Sequence, residues 1–238
     1  MNHIDLLIKA IICIVFAVVV YKYRVLDIGG ALFATFIGAI ILFLQGMGWF
    51  LLLLIFLIVG TIATEYKVNF KKKRLQEKAR RKTMNVIANG IVPTIVAIFS
   101  IKSNLSFLYA SAIAVALADT MASELGVLSD KAYFITNFRK APPGTNGAIS
   151  LYGEAWALIG SSLIALLSIP LLHLKPLYAI GVIIIGMLGC QIDSVLGATF
   201  QGKGKGNIIS SDALLTNNDV NLISISISVL IAYIIIAV

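Results

Sequence analysis

The sequence predicts an all-α, polytopic membrane helix bundle of about eight transmembrane helices, each near bilayer-crossing length. Three observations lead there. Of 238 residues, 59% are hydrophobic and 13% are charged, whereas an ordinary soluble domain has roughly 45–50% apolar and about 25% charged residues. The apolar excess comes in separate blocks, each close to the roughly 20 residues that cross a bilayer. The charges sit between those blocks, and connections rich in Lys and Arg alternate with connections that nearly lack them. Runs this long and continuous are helices rather than barrel strands, because a helix satisfies its backbone N–H and C=O groups within one segment where lipid offers no partner.

The predicted spans cover 4–20, 26–45, 48–65, 84–101, 105–125, 147–172, 177–200 and 220–238. The first run, Ile4 to Val20, is long for a secretory signal. Tyr21-Lys22-Tyr23-Arg24 after it has no small-residue cleavage pattern, so it reads as a retained helix. In the last run Ser224, Ser226 and Ser228 alternate with Ile in the manner of a strand. Its length still favours a helix. Between the third and fourth spans lies a basic connection, about 66–83. No segment is long enough for a separate soluble domain, so 1–238 reads as a single integral membrane domain. Cys13 and Cys190 both fall in apolar blocks, which predicts neither a disulfide framework nor a metal set.

Lys22 and Arg24, the run Lys67–Lys82, then Lys131, Arg139, Lys140, Lys203 and Lys205 occupy the connections after the odd-numbered spans. Only Lys9, Lys102 and Lys175 fall in the other half. The positive-inside rule puts the odd connections in the cytoplasm and both termini on the non-cytoplasmic side. Topology therefore accounts for most of the net charge of +8, and no nucleic-acid partner is needed. Every acidic residue except Asp5 lies in or beside a cytoplasmic connection. The rule is silent about acids, so their clustering asks for another cause.

The fifth span ends in Ala118-Asp119-Thr120-Met121-Ala122-Ser123-Glu124. Carboxylates in the last turns of an apolar span are expensive and point to function, facing the bundle interior. An interfacial helix end is the plainer alternative. In the seventh span Gly186, Gly189, Asp193 and Gly197 share one stripe, where a neighbouring helix can approach closely. Asp193 should then face the bundle, as a functional group or as a structural hydrogen-bond partner.

The sixth span follows Ala141-Pro142-Pro143-Gly144-Thr145-Asn146-Gly147. A stiff loop into a helix N-terminus is an anion site, or simply a turn and cap. With the span starting at 147, Asn146, Ser150 and Glu154 fall on one face. The fourth span carries Asn85, Asn89 and Pro93 at four-residue steps, with Arg81 one step earlier. Its amides can bind phosphates or bases, or join helices. The last span opens with Asn217-Asn218-Asp219-Val220-Asn221. The basic run is mainly a topology determinant, but Arg80, Arg81 and Lys82 abut the amide face. Gly202-Lys203-Gly204-Lys205-Gly206 lacks the spacing of a P-loop, yet a basic loop near Asp193 can meet phosphates. His3 and His173 lie towards the other side and receive no role. Carboxylates, amides, a helix N-terminus and cations thus meet at one depth. That set describes a Mg²⁺–polyphosphate site, since Mg²⁺ is held by one or two carboxylates plus substrate phosphates.

The same segments resemble an integral membrane family that includes the plant phytyl-phosphate kinases of tocopherol synthesis and the animal transmembrane protein 19. The similar stretches are Asn85-Val86-x-x-Asn89-Gly90, Asp119-Thr120-x-Ala122-Ser123-Glu124-x-Gly126, Gly144-Thr145-Asn146-Gly147-Ala148-x-Ser150, Asp193-Ser194-x-Leu196-Gly197-Ala198-Thr199-x-Gln201 and Asn217-Asn218-x-Val220-Asn221. The pattern also looks distantly like the CTP-dependent dolichol and phytol kinases. The resemblance implies transfer of a nucleotide γ-phosphate, from CTP, to an isoprenoid monophosphate such as phytyl or geranylgeranyl phosphate. Asp119, Glu124 and Asp193 inherit the Mg²⁺ role by position. Asn89, Thr145, Asn146, Asn217 and Asn218 inherit contacts to phosphate or nucleotide, beside Asn85 and Gly144 in the same stretches. Arg80, Arg81 and Lys203 would offset repulsion between two polyanions. The expected partners are the prenyl monophosphate, the nucleoside triphosphate and the bilayer of a cell membrane, and a homo-oligomer stays open. The rival readings are a transporter, which shares glycine-interrupted spans, and a lipid nucleotidyltransferase using the same Mg²⁺–nucleotide site.

Overall fold

The computed structural model describes residues 3–23, 25–75, 83–201 and 213–237. Arg80, Arg81 and Lys203 lie outside them. The described chain is nearly all helical. In order it forms α1 (His3–Lys22), α2 (Ile28–Gln45), α3 (Met47–Glu65), α4 (Val68–Leu75), α5 (Thr83–Phe99) and α6 (Ser106–Gly126). A small antiparallel sheet follows, with β1 (Ala132–Phe134) between β2 (Lys140–Ala141) and β3 (Ala148–Ile149). Then come α7 (Leu151–Leu172), α8 (Pro176–Phe200) and α9 (Asn217–Ala237). Seven of these helices are long and apolar enough to cross a membrane, and α5 is a shorter apolar helix of 17 residues. The chain is a multi-pass membrane protein, and the expected spans correspond to these eight helices.

Three details differ from the sequence reading. The basic connection contains the helix α4. The sixth span starts at Leu151, not at residue 147, because Ser150 is its N-cap and accepts from Gly153 N at 3.0 Å. Asn146 therefore sits in a loop before the helix and shares no helical face with Glu154. The preceding residues pair as β3 instead.

α6 is the central element. It packs against α3, α5, α7, α8 and α9. It is the least apolar of the long helices yet the most deeply buried, while α1 is the most apolar and the least buried. In lipid this is the expected order, because association rests on close packing rather than on hydrophobicity. Ala110, Ala112, Ala114, Ala116 and Ala118 keep α6 thin enough for five neighbours. Tyr109 is fully buried among them; its hydroxyl donates to the Trp49 carbonyl at 2.8 Å, and its ring lies 4.3 Å from that of Trp49. The glycine stripe of α8 works as its spacing suggests. A Cβ on Gly186 would stand 2.6 Å from Ser161 Cβ of α7, and one on Gly189 would stand 2.4 Å from Val115 of α6.

The described residues that flank the connections after α1, α3, α6 and α8 meet at one end of the bundle, and acids help to hold it together. Asp27 caps α2 through Gly30 N at 2.8 Å and accepts from Thr83 Oγ1 at 2.8 Å and Thr83 N at 3.1 Å, tying α2 to α5. Thr216 and Asp219 cap α9 reciprocally: Thr216 N donates to Asp219 Oδ2 at 2.9 Å, and Asp219 N donates to Thr216 Oγ1 at 3.3 Å. Part of the acid clustering is thus structural.

Candidate functional site

A pocket of about 190 Å³ opens at this end. α5 supplies Asn85 and Asn89, α6 supplies Asp119, Thr120 and Glu124, α8 supplies Asp193 and Ser194, and α9 supplies Asn217 and Asn221. The loop before α7 supplies Gly144, Thr145 and Asn146.

That loop is shaped by its turn chemistry. The Thr145 N–H donates to the Pro142 carbonyl at 3.1 Å across Pro143-Gly144, with Gly144 at φ 82. Pro then Gly with a positive φ is a type II turn. Gly147, at φ 70, is doubly constrained, since a Cβ there would meet Ala198 at 2.3 Å. The loop is pressed against α8 just past Asp193. Asn146 Nδ2 reaches the Gln201 carbonyl at 3.5 Å, and Gln201 Nε2 reaches Asn217 Oδ1 at 3.4 Å.

Asp119 and Asp193 form the centre. Asp193 is buried, and its carboxyl lies within hydrogen-bonding reach of that of Asp119. α9 fixes its far side. Ser224 Oγ donates to Asp193 Oδ2 at 2.9 Å. With its amide nitrogen turned inwards, Asn221 donates to the same oxygen at 3.3 Å and to the Asn217 carbonyl at 2.8 Å. Close carboxylates repel unless a proton or a cation lies between them. The donors on α9 hold Asp193 in place all the same.

Glu124 stands apart from that pair. Its Oε2 accepts from Lys71 Nζ at 2.6 Å, and the same ammonium donates to the carbonyls of Ala63 at 2.8 Å and Thr64 at 2.6 Å. Lys71 is 2% exposed. It closes the C-terminus of α3, where free carbonyls and the helix dipole favour a cation, and it anchors Glu124 at the pocket wall. The sequence reading missed it. Helical phase could have found it, because Val68, Lys71 and Leu75 share the inward face of α4, while Lys72 and Lys73 point out.

Among the described residues no three of His, Cys, Asp and Glu form a ready-made metal cluster. The facing aspartates, with amide and hydroxyl oxygens around them, are nevertheless a hard-oxygen donor set. That set fits Mg²⁺, which keeps part of its shell for water and phosphate. Asn89 Oδ1 is buried without a partner among the described residues, although Asn89 Nδ2 donates to the Asn85 carbonyl at 2.8 Å. A buried polar atom left over is a cost of about 1–3 kcal/mol that a bound ligand or water removes.

Of the expected residues, Asn85, Asn89, Asp119, Glu124, Gly144, Thr145, Asn146, Asp193 and Asn217 share the pocket. Asn218 does not line it; its Oδ1 is buried without a partner among the described residues. Asn221 and Ser224 were legible as the continuation of Asn217 along one face of α9. Glu154 also lines the pocket and accepts from Gln191 Nε2 at 2.6 Å.

The family model described as Integral membrane protein DUF92 matches residues 11–229. An uncharacterized membrane protein of Methanocaldococcus jannaschii is 34% identical over 224 residues, which cover 93% of this chain and 90% of that protein. Protein VTE6, chloroplastic, of Arabidopsis thaliana is 29% identical over 219 residues, covering 87% of this chain and 64% of that protein. Protein PGR of the same plant is 28% identical over 257 residues, covering 86% and 87%. No solved structure gives a significant match.

Proposed function

The chain belongs to the DUF92 family of integral membrane proteins, and we propose that it is a CTP-dependent kinase that phosphorylates an isoprenoid monophosphate to the diphosphate. The observation that carries this reading is the Asp119–Asp193 pair in a pocket lined by amides from α5 and α9. The resemblance of the pocket-lining stretches to phytyl-phosphate kinases supplies the substrate class and the nucleotide. The positive-inside pattern supplies the cytoplasmic orientation.

Asp119 and Asp193 would hold Mg²⁺ with the nucleotide phosphates. When bound, Mg²⁺ supplies neutralisation of charge on those phosphates. The chain's own work is to position. Asn85 offers an amide donor to phosphate oxygens. Asn89, whose Nδ2 already donates to the Asn85 carbonyl, offers its Oδ1 as an acceptor for a donor on the nucleotide or for water. Thr145, whose N–H and hydroxyl both donate to the Pro142 carbonyl, shapes the turn beside them. Ser224 and Asn221 keep Asp193 from swinging away. An oxygen of the acceptor phosphate forms the new bond to the γ-phosphorus, the bond from that phosphorus to the β-phosphate oxygen breaks, and CDP leaves. The acceptor oxygen is already ionised, so no general base is required. Glu124, whose Oε2 accepts from Lys71, would keep its other carboxylate oxygen for the metal while the ion pair ties α6 to α3 and α4. Arg80, Arg81 and Lys203 are proposed to balance the polyanions.

The packing of α6 favours an enzyme over a transporter, because beyond Ala118 its whole length to Ser106 is buried. Purified protein in detergent with Mg²⁺, γ-labelled CTP and phytyl phosphate tests the reading. Label in phytyl diphosphate is expected. Transfer of the nucleotide moiety with release of pyrophosphate would replace the kinase by a nucleotidyltransferase. Absence of any transfer, with flux in liposomes, would replace it by a transporter.

A further inference from the structure

An apolar cleft lies beside the polar pocket. Its walls include Phe16 of α1, Gly38 of α2, Phe50 and Leu53 of α3, and Val86 and Gly90 of α5. Asn85 lines the cleft and the polar pocket alike. α5 is the divider between them. Asn85 and Asn89, four residues apart, face the pocket. Val86 and Gly90, each one position and about 100° further round the helix, face the cleft.

Close packing at two glycines keeps the cleft narrow. A Cβ on Gly90 would stand 2.7 Å from Ile37 Cδ1, and one on Gly38 would stand 3.0 Å from Phe50 Cε2. α1 closes one side, with the Phe16 ring edge-on to Phe50 at 5.8 Å. This helix packs mainly on α2 and is the least buried of the long helices, so the cover is a lightly held element next to the bilayer.

We propose that this cleft, of about 40 Å³, receives the head-proximal isoprene unit of the lipid phosphate whose head group occupies the polar pocket, the rest of the chain lying in the bilayer past α1. An amphiphile needs an anion site and an apolar site that meet at its head–tail junction. Asn85 stands at that junction. A cavity walled by Phe, Leu and Val does not hold water well and takes an apolar guest. Entry is lateral, past α1, as suits a substrate that resides in the membrane. The inference rests on the lipid-phosphate reading of the pocket but not on phosphoryl transfer itself.

The test is photolabelling of the full chain in detergent with a geranylgeranyl phosphate analogue carrying a diazirine in its chain, mapped by mass spectrometry. Adducts are expected on Phe16, Leu53 and Val86. Unlabelled geranylgeranyl phosphate should compete and inorganic phosphate should not. Adducts confined to the outward faces of α8 and α9 would overturn the proposal. Val86→Phe fills the cleft from a side chain, and should lower labelling and raise KM for geranylgeranyl phosphate about tenfold, with KM for CTP unchanged. Leu53→Phe should do the same from the opposite wall. Unchanged labelling and KM in both folded variants would overturn the cleft. Cleft labelling without transfer from any nucleotide keeps the cleft and removes the kinase. Transfer without cleft labelling does the reverse.

Discussion

α6 carries both characters of the bundle in one helix. From Ser106 to Ala118 every residue is buried, and the side chains are mostly small and apolar. From Asp119 to Gly126 the helix turns polar, part of its surface opens to the pocket, and Glu124 takes an ion pair. The first stretch is built for contact and the second for chemistry. Stability and activity should therefore respond to different residues of the same fold.

The largest expected effect is at the pocket. Asp193→Asn or Asp119→Asn should lower turnover by about 10²-fold or more, the scale on which one charge-stabilising group acts. Melting temperature should hold or rise, because removing one of two facing carboxylates relieves repulsion while an amide oxygen still accepts from Ser224. A turnover assay beside a thermal melt reads both.

At the packed end the pattern should invert. A Cβ on Gly48 would lie 1.9 Å from the Leu171 carbonyl oxygen. Gly48→Leu must push α3 from α7, at roughly 1–3 kcal/mol or more. Melting temperature should fall, with turnover per folded molecule unchanged. Lys71→Met sits on the border. It removes the donor to Glu124 and to two α3 carbonyls, costing about 1–3 kcal/mol. It leaves Asp119 and Asp193 in place, so turnover should fall less than in Asp193→Asn. The smallest effect is Tyr109→Phe, which loses one bond to Trp49 O, worth about 1 kcal/mol. It should shift the melt slightly and leave turnover alone.

The long spans were legible because lipid imposes length and apolarity on every crossing helix. Asp119 and Asp193 were legible because a carboxylate in such a span has few places to go. The β1–β3 sheet was not, since strands of two or three residues carry no period. α4 hid inside a charge run whose topological meaning masked its phase, and Lys71 hid with it. The start of α7 was set too early because Gly147 and Ala148 look compatible with helix, whereas Ser150 caps it. Glu124 takes its place beside the aspartates from the motif resemblance, and spacing along one helix does not reveal the lysine that arrives on it from another.

The most direct measurement is prenyl-diphosphate formation from γ-labelled CTP and geranylgeranyl phosphate by wild type, Asp193→Asn and Tyr109→Phe side by side. Mg²⁺-dependent label transfer is expected from wild type and Tyr109→Phe and essentially none from Asp193→Asn. Full transfer by Asp193→Asn, or none by wild type with any nucleoside triphosphate, would contradict the proposed function.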